Sequence, residues 1–385
     1  MNNLNMAYLK QLNHINTYTR ISLKEEKMAE RLKDMFFTAD SVSTFAAAIQ
    51  TAYPEFDKEK FTELVFDKAF ESKELMAKMR HATLCLHQTL PKSYAKTVEI
   101  LKHAAPHVKG FEAISLPNYI SLYGMEDWEV SLPALGHITQ FVTAELAIRP
   151  FLDQDPQKVL PHMLAWAQYE NHHVRRLASE GCRPRLPWAM ALPKFKKDPT
   201  PLLPILEQLK NDPSETVRRS VANNLNDISK DNPAIALDVC ERWHGQSPET
   251  DKIVKHACRG LLKAGDKRAL AIFGYSDPAD LVISNFTLAT PSLRIGDNLE
   301  FSFTMELQNK SKVRLEYAIH YVKAKGQLSK KVFKITENDY KAGSHSYKRK
   351  HSLDDMSTRK HYPGTHRISL FVNGEEKIKD MFELI

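Results

Sequence analysis

The chain has 385 residues, of which 42% are hydrophobic and 26% are charged, and its formal net charge is +7 at pH 7. This composition excludes a mostly disordered chain, and the length is sufficient for two or three domains. No segment reaches the ~20 consecutive apolar residues of a membrane helix, and the polar start lacks a signal-peptide core, so we expect a soluble, cytoplasmic protein without membrane contact.

Helical spacing of apolar residues extends from about residue 28 to residue 272. Pro, Gly, Asn or Asp interrupts it roughly every ten to twenty residues, which indicates short, paired helices. We predict helices at 57–70, 73–89, 92–105, 128–148, 154–168 and 171–181. Residues 1–27 lie outside the pattern and are interpreted as an N-terminal extension.

One segment recurs along the chain. Val174–Glu180 matches Val217–Asn223 at a spacing of 43 residues, and Val254–Gly260 follows after another 37. These periods are typical of HEAT-like helical repeats. Such repeats stack because no single repeat buries its own apolar face, and stacking produces a curved surface. We therefore predict an all-α HEAT-like solenoid over residues 28–275.

The repeat register brings two glutamates into equivalent positions. At 100° per residue the packing side of the 171–181 helix consists of Val174, Leu177, Ala178 and Gly181. Arg176 and Glu180 are predicted on the opposite, outward side. Shifting the register back by 35 residues aligns Thr139–Glu145 with Val174–Glu180. Because neighbouring helices pack roughly 8–10 Å apart, Glu145 and Glu180 are expected to flank one small group on the concave face.

Alternation of apolar and polar residues replaces the helical pattern after Asp277. We predict strands at 281–288, 299–307, 313–322 and 366–372, some seven strands in all, with turns at Gly296 and at Asn373–Gly374. This predicts an immunoglobulin-like β-sandwich over residues 280–385. Residues 281–385 contain 18 Lys/Arg against 12 Asp/Glu, while residues 1–280 contain 36 against 35, so the basic excess is C-terminal and suggests contact with phosphates.

The segment 174–188 combines four arginines, a glutamate and a tryptophan. Arg183, Arg185 and Trp188 follow the end of a helix at Gly181, in a proline-braced loop. Arginine forks suit phosphates, and an exposed tryptophan suits a sugar or base. Trp188 is equally compatible with a core position that anchors the loop.

Structural explanations also remain open for both glutamates. Arg176 and Glu180 have the i,i+4 spacing of a solvated helical ion pair, which stabilises a helix by only a few tenths of a kcal/mol. Glu145 has a possible partner in Arg149, one turn later. Either pairing would leave these residues without a catalytic role.

Other chemical signatures are absent from the sequence. There is no phosphate-binding loop, no H-E-x-x-H motif and no nucleobase-deaminase motif. His172 and His173 lack neighbouring ligands that would complete a metal site, and Lys348–Lys350 is typical of a solvated face. The cysteines are widely spaced and argue against structural zinc or disulfides. They are Cys85, Cys182, Cys240 and Cys258. We expect neither a metal nor a cofactor.

Three blocks resemble the AlkC group of DNA alkylation-repair glycosylases. They are Phe141–Leu152, His173–Trp188 and Met28–Phe37, the last of which resembles that family's amino terminus. The resemblance covers the helical part from about 28 to 275, and a C-terminal immunoglobulin-like domain occurs in one branch of the family. It implies base excision repair on duplex DNA, with removal of bases methylated at ring nitrogens, chiefly 3-methyladenine and 3-methylcytosine, without full base flipping.

The resemblance also implies roles for individual residues. Glu145 and Glu180 match the family's active-site glutamates, Arg176 and Arg183 its DNA-contacting basic residues, and Trp188 its active-site tryptophan. Arg185 lies in the same block and is expected to contact DNA. No cofactor or obligatory protein partner is implied, and the protein is expected to be a monomer.

The chemistry agrees with these residue types. An N3-alkylated base is cationic and leaves without much protonation, so carboxylates need only stabilise the sugar cation and direct water at C1′. Because no lysine stands out for a Schiff base, we expect monofunctional hydrolysis. The alternatives are a HEAT-repeat scaffold that binds a protein, and a DNA-binding protein without catalysis. Release of a methylated base separates both from the enzyme.

Overall fold

The structure is a computed structural model that describes residues 35–275, 281–355 and 360–385. The predicted extension 1–27, and all but the last three residues of the block 28–37, lie outside the described residues. Two compact units are present. The first runs to Ala236 and includes Gly245–Ala257, and the second comprises Leu237–His244 and Cys258–Ile385.

The helical part consists of short α-helices joined by tight turns and 3₁₀ segments. Their bounds are α1 Ala39–Ala52, α2 Lys58–Val65, α3 Leu75–Thr89, α4 Tyr94–Ala104, α5 Ser115–Tyr123, α6 Trp128–Ile138, α7 Arg149–Gln154, α8 Pro156–Trp166, α9 His172–Glu180, α10 Pro193–Lys197, α11 Leu203–Leu209, α12 Glu215–Asp231, α13 Pro233–Trp243, α14 Pro248–Ala257, α15 Arg259–Ala264 and α16 Lys267–Ile272. No helix in the described ranges is long and apolar enough to span a bilayer.

The repeat prediction is confirmed by the packing of α9, α12 and α14. In the first unit α9 packs on α12, and α12 packs on α14. The corresponding valines of the three segments, Val174, Val217 and Val254, are each fully buried. Every repeat therefore buries the same side of its helix against its neighbours, as a solenoid requires.

The predicted helix 128–148 is wrong beyond Ile138, where α6 ends. Residues 139–148 form turns, and a new helix begins at Arg149 with Pro150 in its first turn. Pro150 suits the start of this new helix, where its missing amide hydrogen is not needed and its fixed φ is already helical. The predicted helix 57–70 likewise stops early, at Val65.

The β domain is a sandwich of a three-stranded and a five-stranded sheet, as predicted. The strand order is β1-β3-β6 in one sheet and β2-β8-β7-β4-β5 in the other. The described strands are β1 Leu281–Leu288, β2 Ser292–Leu293, β3 Asn298–Leu307, β4 Ser311–Val322, β5 Leu328–Tyr340, β6 Gly343–Ser352, β7 Gly364–Val372 and β8 Glu375–Leu384. The sequence predicted about seven strands, and the short β2 was missed because two residues carry no alternation.

The β7–β8 hairpin turns at Asn373 and Gly374, as predicted from the sequence. Both residues have positive φ, 46° and 81°, as in the tight turns that Asn-Gly pairs favour. Gly374 also lies against Gly265, and a Cβ atom added at Gly374 would be 2.7 Å from the Cα of Gly265. This close backbone approach, within the second unit, joins the helices after Cys258 to the sandwich.

Candidate active site

Glu180 is the last residue of α9 and is only 6% exposed. The prediction that it lies on an outward face is therefore wrong. The sequence identified one packing stripe, but a solenoid helix is covered on two sides. Here α12 covers the second side, where Asn224 donates to the carbonyl of Ser179 at 2.8 Å and Ser220 donates to its hydroxyl at 3.0 Å.

Glu145 lies in the turn between α6 and α7, and its side chain is 19% exposed. It is not on a helix, so the predicted helical equivalence with Glu180 is wrong. The two carboxylates nevertheless meet at one guanidinium. Arg176 Nη2 lies 2.7 Å from Glu145 Oε2 and 3.8 Å from Glu180 Oε1. The hydroxyl of Thr143 also donates to Glu145 Oε2 at 2.8 Å, which fixes the carboxylate from its other side.

Arg183 holds Glu180 from the interior. Its Nη1 donates to Glu180 Oε1 at 2.7 Å, and its Nε donates to Asp227 Oδ2 at 2.9 Å. Burial alone would lower the pKa of Arg183, but the charges of Glu180 and Asp227 outweigh it and raise the pKa above its usual value. Lys230 completes the group at 3.1 Å from Asp227. We call these six charged side chains the carboxylate cluster: Glu145, Arg176, Glu180, Arg183, Asp227 and Lys230.

Arg149 shapes the loop that follows α9. It is fully buried and donates to the backbone carbonyls of Met190, Gly181 and Arg183 at 2.7, 2.9 and 2.8 Å. The alternative in which it is the ion-pair partner of Glu145 is therefore wrong. Burial lowers the pKa of Arg149 to about 10, so the guanidinium stays charged at neutral pH and can hold all three carbonyls.

Trp188 lies in this loop with its side chain turned outward. It is 38% exposed, and its φ of 61° is in the left-handed region. The alternative of a core tryptophan is therefore wrong. A bulky residue in that region costs about 1–3 kcal/mol, and such strain is found mainly at functional sites. The edge of the ring meets Phe111, with centroids 6.5 Å apart.

Arg185 also lies on the outer side of the loop. Its side chain is 38% exposed and forms two bonds to Asp231, of 2.7 and 2.6 Å. An exposed pair of this kind contributes little to stability, so the guanidinium can exchange its partner at small cost. Arg176 and Arg185 thus differ from Arg183, whose partners are both buried.

The arrangement suits stabilisation of a positive charge that develops near Glu145 and Glu180. Both carboxylates are fixed by hydrogen bonds and partly shielded from water, so they need little reorganisation when a cation forms beside them. Among the residues that the structure describes, no group of three or more His, Cys, Asp or Glu side chains is arranged to hold a metal.

Known proteins resemble both parts of the chain. Residues 139–259 match the family described as DNA alkylation repair enzyme, and residues 282–385 match the C-terminal Ig-like domain of YhaZ. The uncharacterised protein YhaZ of Bacillus subtilis strain 168 is 46% identical over 347 residues, which cover 90% of this chain and 97% of that protein. The chain belongs to the AlkC and YhaZ family.

A solved member of the family matches most of this chain. It is the alkylpurine DNA glycosylase AlkC of Pseudomonas fluorescens, solved bound to DNA containing an abasic site analog. The two sequences are 38% identical, the match covers 92% of this chain and 99% of the AlkC chain, and the TM-score is 0.87.

Four residues of the site were not predicted from the sequence, namely Thr143, Arg149, Asp227 and Lys230. Asp227 lies one turn beyond Asn223, where the repeat comparison stopped, and an extension by four residues would have found it. Arg149 was considered only as a partner of Glu145, because a side chain that binds backbone carbonyls leaves no signal in sequence spacing.

Proposed function

We propose that this protein is a DNA glycosylase that excises positively charged N-alkylated bases, 3-methyladenine and 3-methylcytosine, from duplex DNA without full base flipping. The reaction is monofunctional hydrolysis of the N-glycosidic bond. The observation that carries the proposal is the meeting of Glu145 and Glu180 at Arg176, in a chain 38% identical to the alkylpurine DNA glycosylase AlkC.

The chemistry requires two carboxylates with different surroundings. The alkylated base leaves with the electron pair of its bond to C1′, and the sugar becomes cationic. Glu180 accepts a hydrogen bond from the buried Arg183 and stabilises that cation. Glu145 is the more exposed of the two and accepts the proton of the water that attacks C1′. The products are the free base and an abasic site.

The arginines act at different distances from the DNA. Arg176 and Arg185 are 26% and 38% exposed and exchange a carboxylate for a phosphate when DNA binds. Arg183 is buried between two carboxylates and acts on the DNA through Glu180. Trp188 presses on the sugar of the damaged nucleotide, which its exposed ring allows. The protein needs no cofactor and acts as a monomer.

The sandwich supplies a second DNA-binding surface. Residues 281–385 contain six more basic than acidic residues, from 18 against 12. On its three-stranded sheet Lys348 and Lys350 are exposed and share a single carboxylate, Glu300.

The double variant Lys348→Ala, Lys350→Ala should weaken DNA affinity and lower the salt dependence of binding by about one to two phosphate contacts. Unchanged affinity and slope would remove this part of the sheet from the DNA-binding surface.

The proposal is tested by incubating the protein with duplex DNA that contains 3-methyladenine and measuring the free base and strand nicking. We expect free base without nicking. The double variant Glu145→Gln, Glu180→Gln should lose excision and keep DNA binding. Glu215→Gln is the matched control, because Glu215 forms an exposed pair with Arg219 on α12. Full excision by the double variant would eliminate the carboxylate mechanism, and no base release by the parent chain would eliminate the function.

A further inference from the structure

An open cleft of about 320 Å³ lies in the first unit beside the carboxylate cluster. We call it the aromatic cleft, because the rings of Phe36, Phe111 and Phe141 line it. Phe141 is 49% exposed, and the other two rings are partly exposed. Exposed aromatic rings around a concave surface mark a binding site more often than a random surface feature.

The walls of the aromatic cleft are held rigidly. The buried carboxylate of Glu112 accepts hydrogen bonds from the backbone amide of Phe37 and from the hydroxyl of Ser41. Phe37 and Gly110, which adjoin the ring-bearing Phe36 and Phe111, have positive φ of 60° and 83°. A strained phenylalanine persists only where its surroundings fix it, and such positions concentrate at ligand sites.

The aromatic cleft ends at the proposed catalytic residues. Thr143 lines the cleft and donates to Glu145. Phe111 also forms a T-shaped contact with Trp188, at an interplanar angle of 67°. A flat group that leaves the sugar near Glu145 therefore finds aromatic faces directly beside it.

We propose that the aromatic cleft recognises the cationic alkylated base while the base is still bonded to the sugar and carries its positive charge. This rests on the proposed function, which supplies a flat, positively charged aromatic group at this point. Ring faces attract cations through their quadrupole, and the lining residue Thr143 connects the cleft to the Glu145 carboxylate. Lys109 at the rim is exposed and suits a flanking phosphate. Neutral bases lack the cation–π attraction, so the cleft discriminates damaged from normal bases.

The test uses small-molecule mimics of the base and the full chain. The mimics are 1,3-dimethylcytosinium, which is cationic, and 1-methylcytosine, its neutral counterpart. Binding is followed by proton NMR of the N-methyl groups, which shift upfield over aromatic rings. We expect the cation to bind about tenfold more tightly than the neutral base, the preference that a single good cation–π contact provides.

Variants at the exposed ring decide between π attraction and simple packing. Phe141→Ala should abolish the preference, and Phe141→Leu should not restore it, because leucine fills space without a π face. Tyr169→Ala is the matched control, since Tyr169 is 47% exposed in the same unit and does not line the cleft. Equal binding of the two mimics, or an unchanged preference in Phe141→Ala, would overturn the inference.

The readout does not depend on catalysis, so the two proposals fail separately. A chain that prefers the cation and releases no base from DNA retains the binding site and loses the glycosylase function. A chain that excises bases and shows no preference between the mimics retains the function and loses the aromatic cleft as the base site.

Discussion

Replacing Arg183 by methionine should destabilise the helical unit and leave the electrostatic part of DNA binding unchanged. The guanidinium is 9% exposed and serves Glu180 and Asp227, which are 8% and 2% exposed at their side chains. Methionine has a comparable length and no charge, so both carboxylates lose a charge-assisted bond. Arg176 remains 3.8 Å from Glu180, and Lys230 remains near Asp227, which limits the damage.

The expected loss follows from the burial of both partners. Removing one member of a buried ion pair costs about 3–5 kcal/mol, because the remaining charge is desolvated without compensation. For a unit of this size each kcal/mol lowers Tm by about 2–4 °C, so a decrease of roughly 10 °C is expected. Adding Asp227→Asn removes one of the two carboxylates that lost their bond to Arg183, and the double variant should recover part of the loss.

Thermal unfolding followed by far-UV circular dichroism measures the stability, and salt-dependent binding to undamaged duplex DNA measures the phosphate contacts. Arg183→Met should keep the slope of log affinity against log salt. Parental stability together with a slope smaller by about one phosphate contact would contradict a structural role of Arg183. That result would mean that Arg183 leaves the protein interior to bind DNA directly.

Three further predictions concern the loop after α9 and the sandwich. Arg185→Ala should lower the free energy of unfolding by under about 1 kcal/mol, because the pair of Arg185 with Asp231 is exposed. It should also lower the slope of log affinity for DNA against log salt by about one phosphate contact. An unchanged slope would exclude a phosphate contact at Arg185. Trp188→Gly should relieve about 1 kcal/mol or more of backbone strain at residue 188 and should also reduce excision. A Tm below that of the parent would contradict the strain at this position. Burial lowers the pKa of His366 below its usual 6.5, so the sandwich should lose stability as pH falls below about 6.5. Urea midpoints at pH 7.5 and 5.5 should differ less in His366→Phe than in the parent.

Repeat helices and strands could be predicted because their patterns are local. The valines of the three repeat segments and the alternation in β1 and β3 follow directly from residue periodicity. The end of α6 could not be predicted by periodicity, because apolar residues continue through 139–148 with helical spacing. Proline was an ambiguous signal here, because Pro133 lies inside α6 whereas Pro150 lies in the first turn of the next helix.

The proximity of Glu145 and Glu180 was predicted, but it does not arise from equivalent positions on two repeat helices. Glu145 and Glu180 do share one guanidinium, but one carboxylate stands in a turn and the other at a helix end. Burial of Glu180 depends on α12, which is 35 residues further along the chain, and no sequence window contains both surfaces. Long-range ion pairs, such as that of Arg183 with Asp227, cannot be predicted from the sequence for the same reason.

The carboxylate cluster is electrically balanced. Three carboxylates, Glu145, Glu180 and Asp227, face three cations, Arg176, Arg183 and Lys230. A group of zero net charge exerts little attraction on a distant polyanion, so the approach of DNA must be guided by other basic surfaces. Long-range attraction of the duplex therefore depends on other basic residues, while the cluster acts only at short range, including the phosphate contact proposed for Arg176. Raising ionic strength should slow capture of the duplex, while the rate of the bound complex stays nearly constant, because charges in close, shielded contact are screened only weakly.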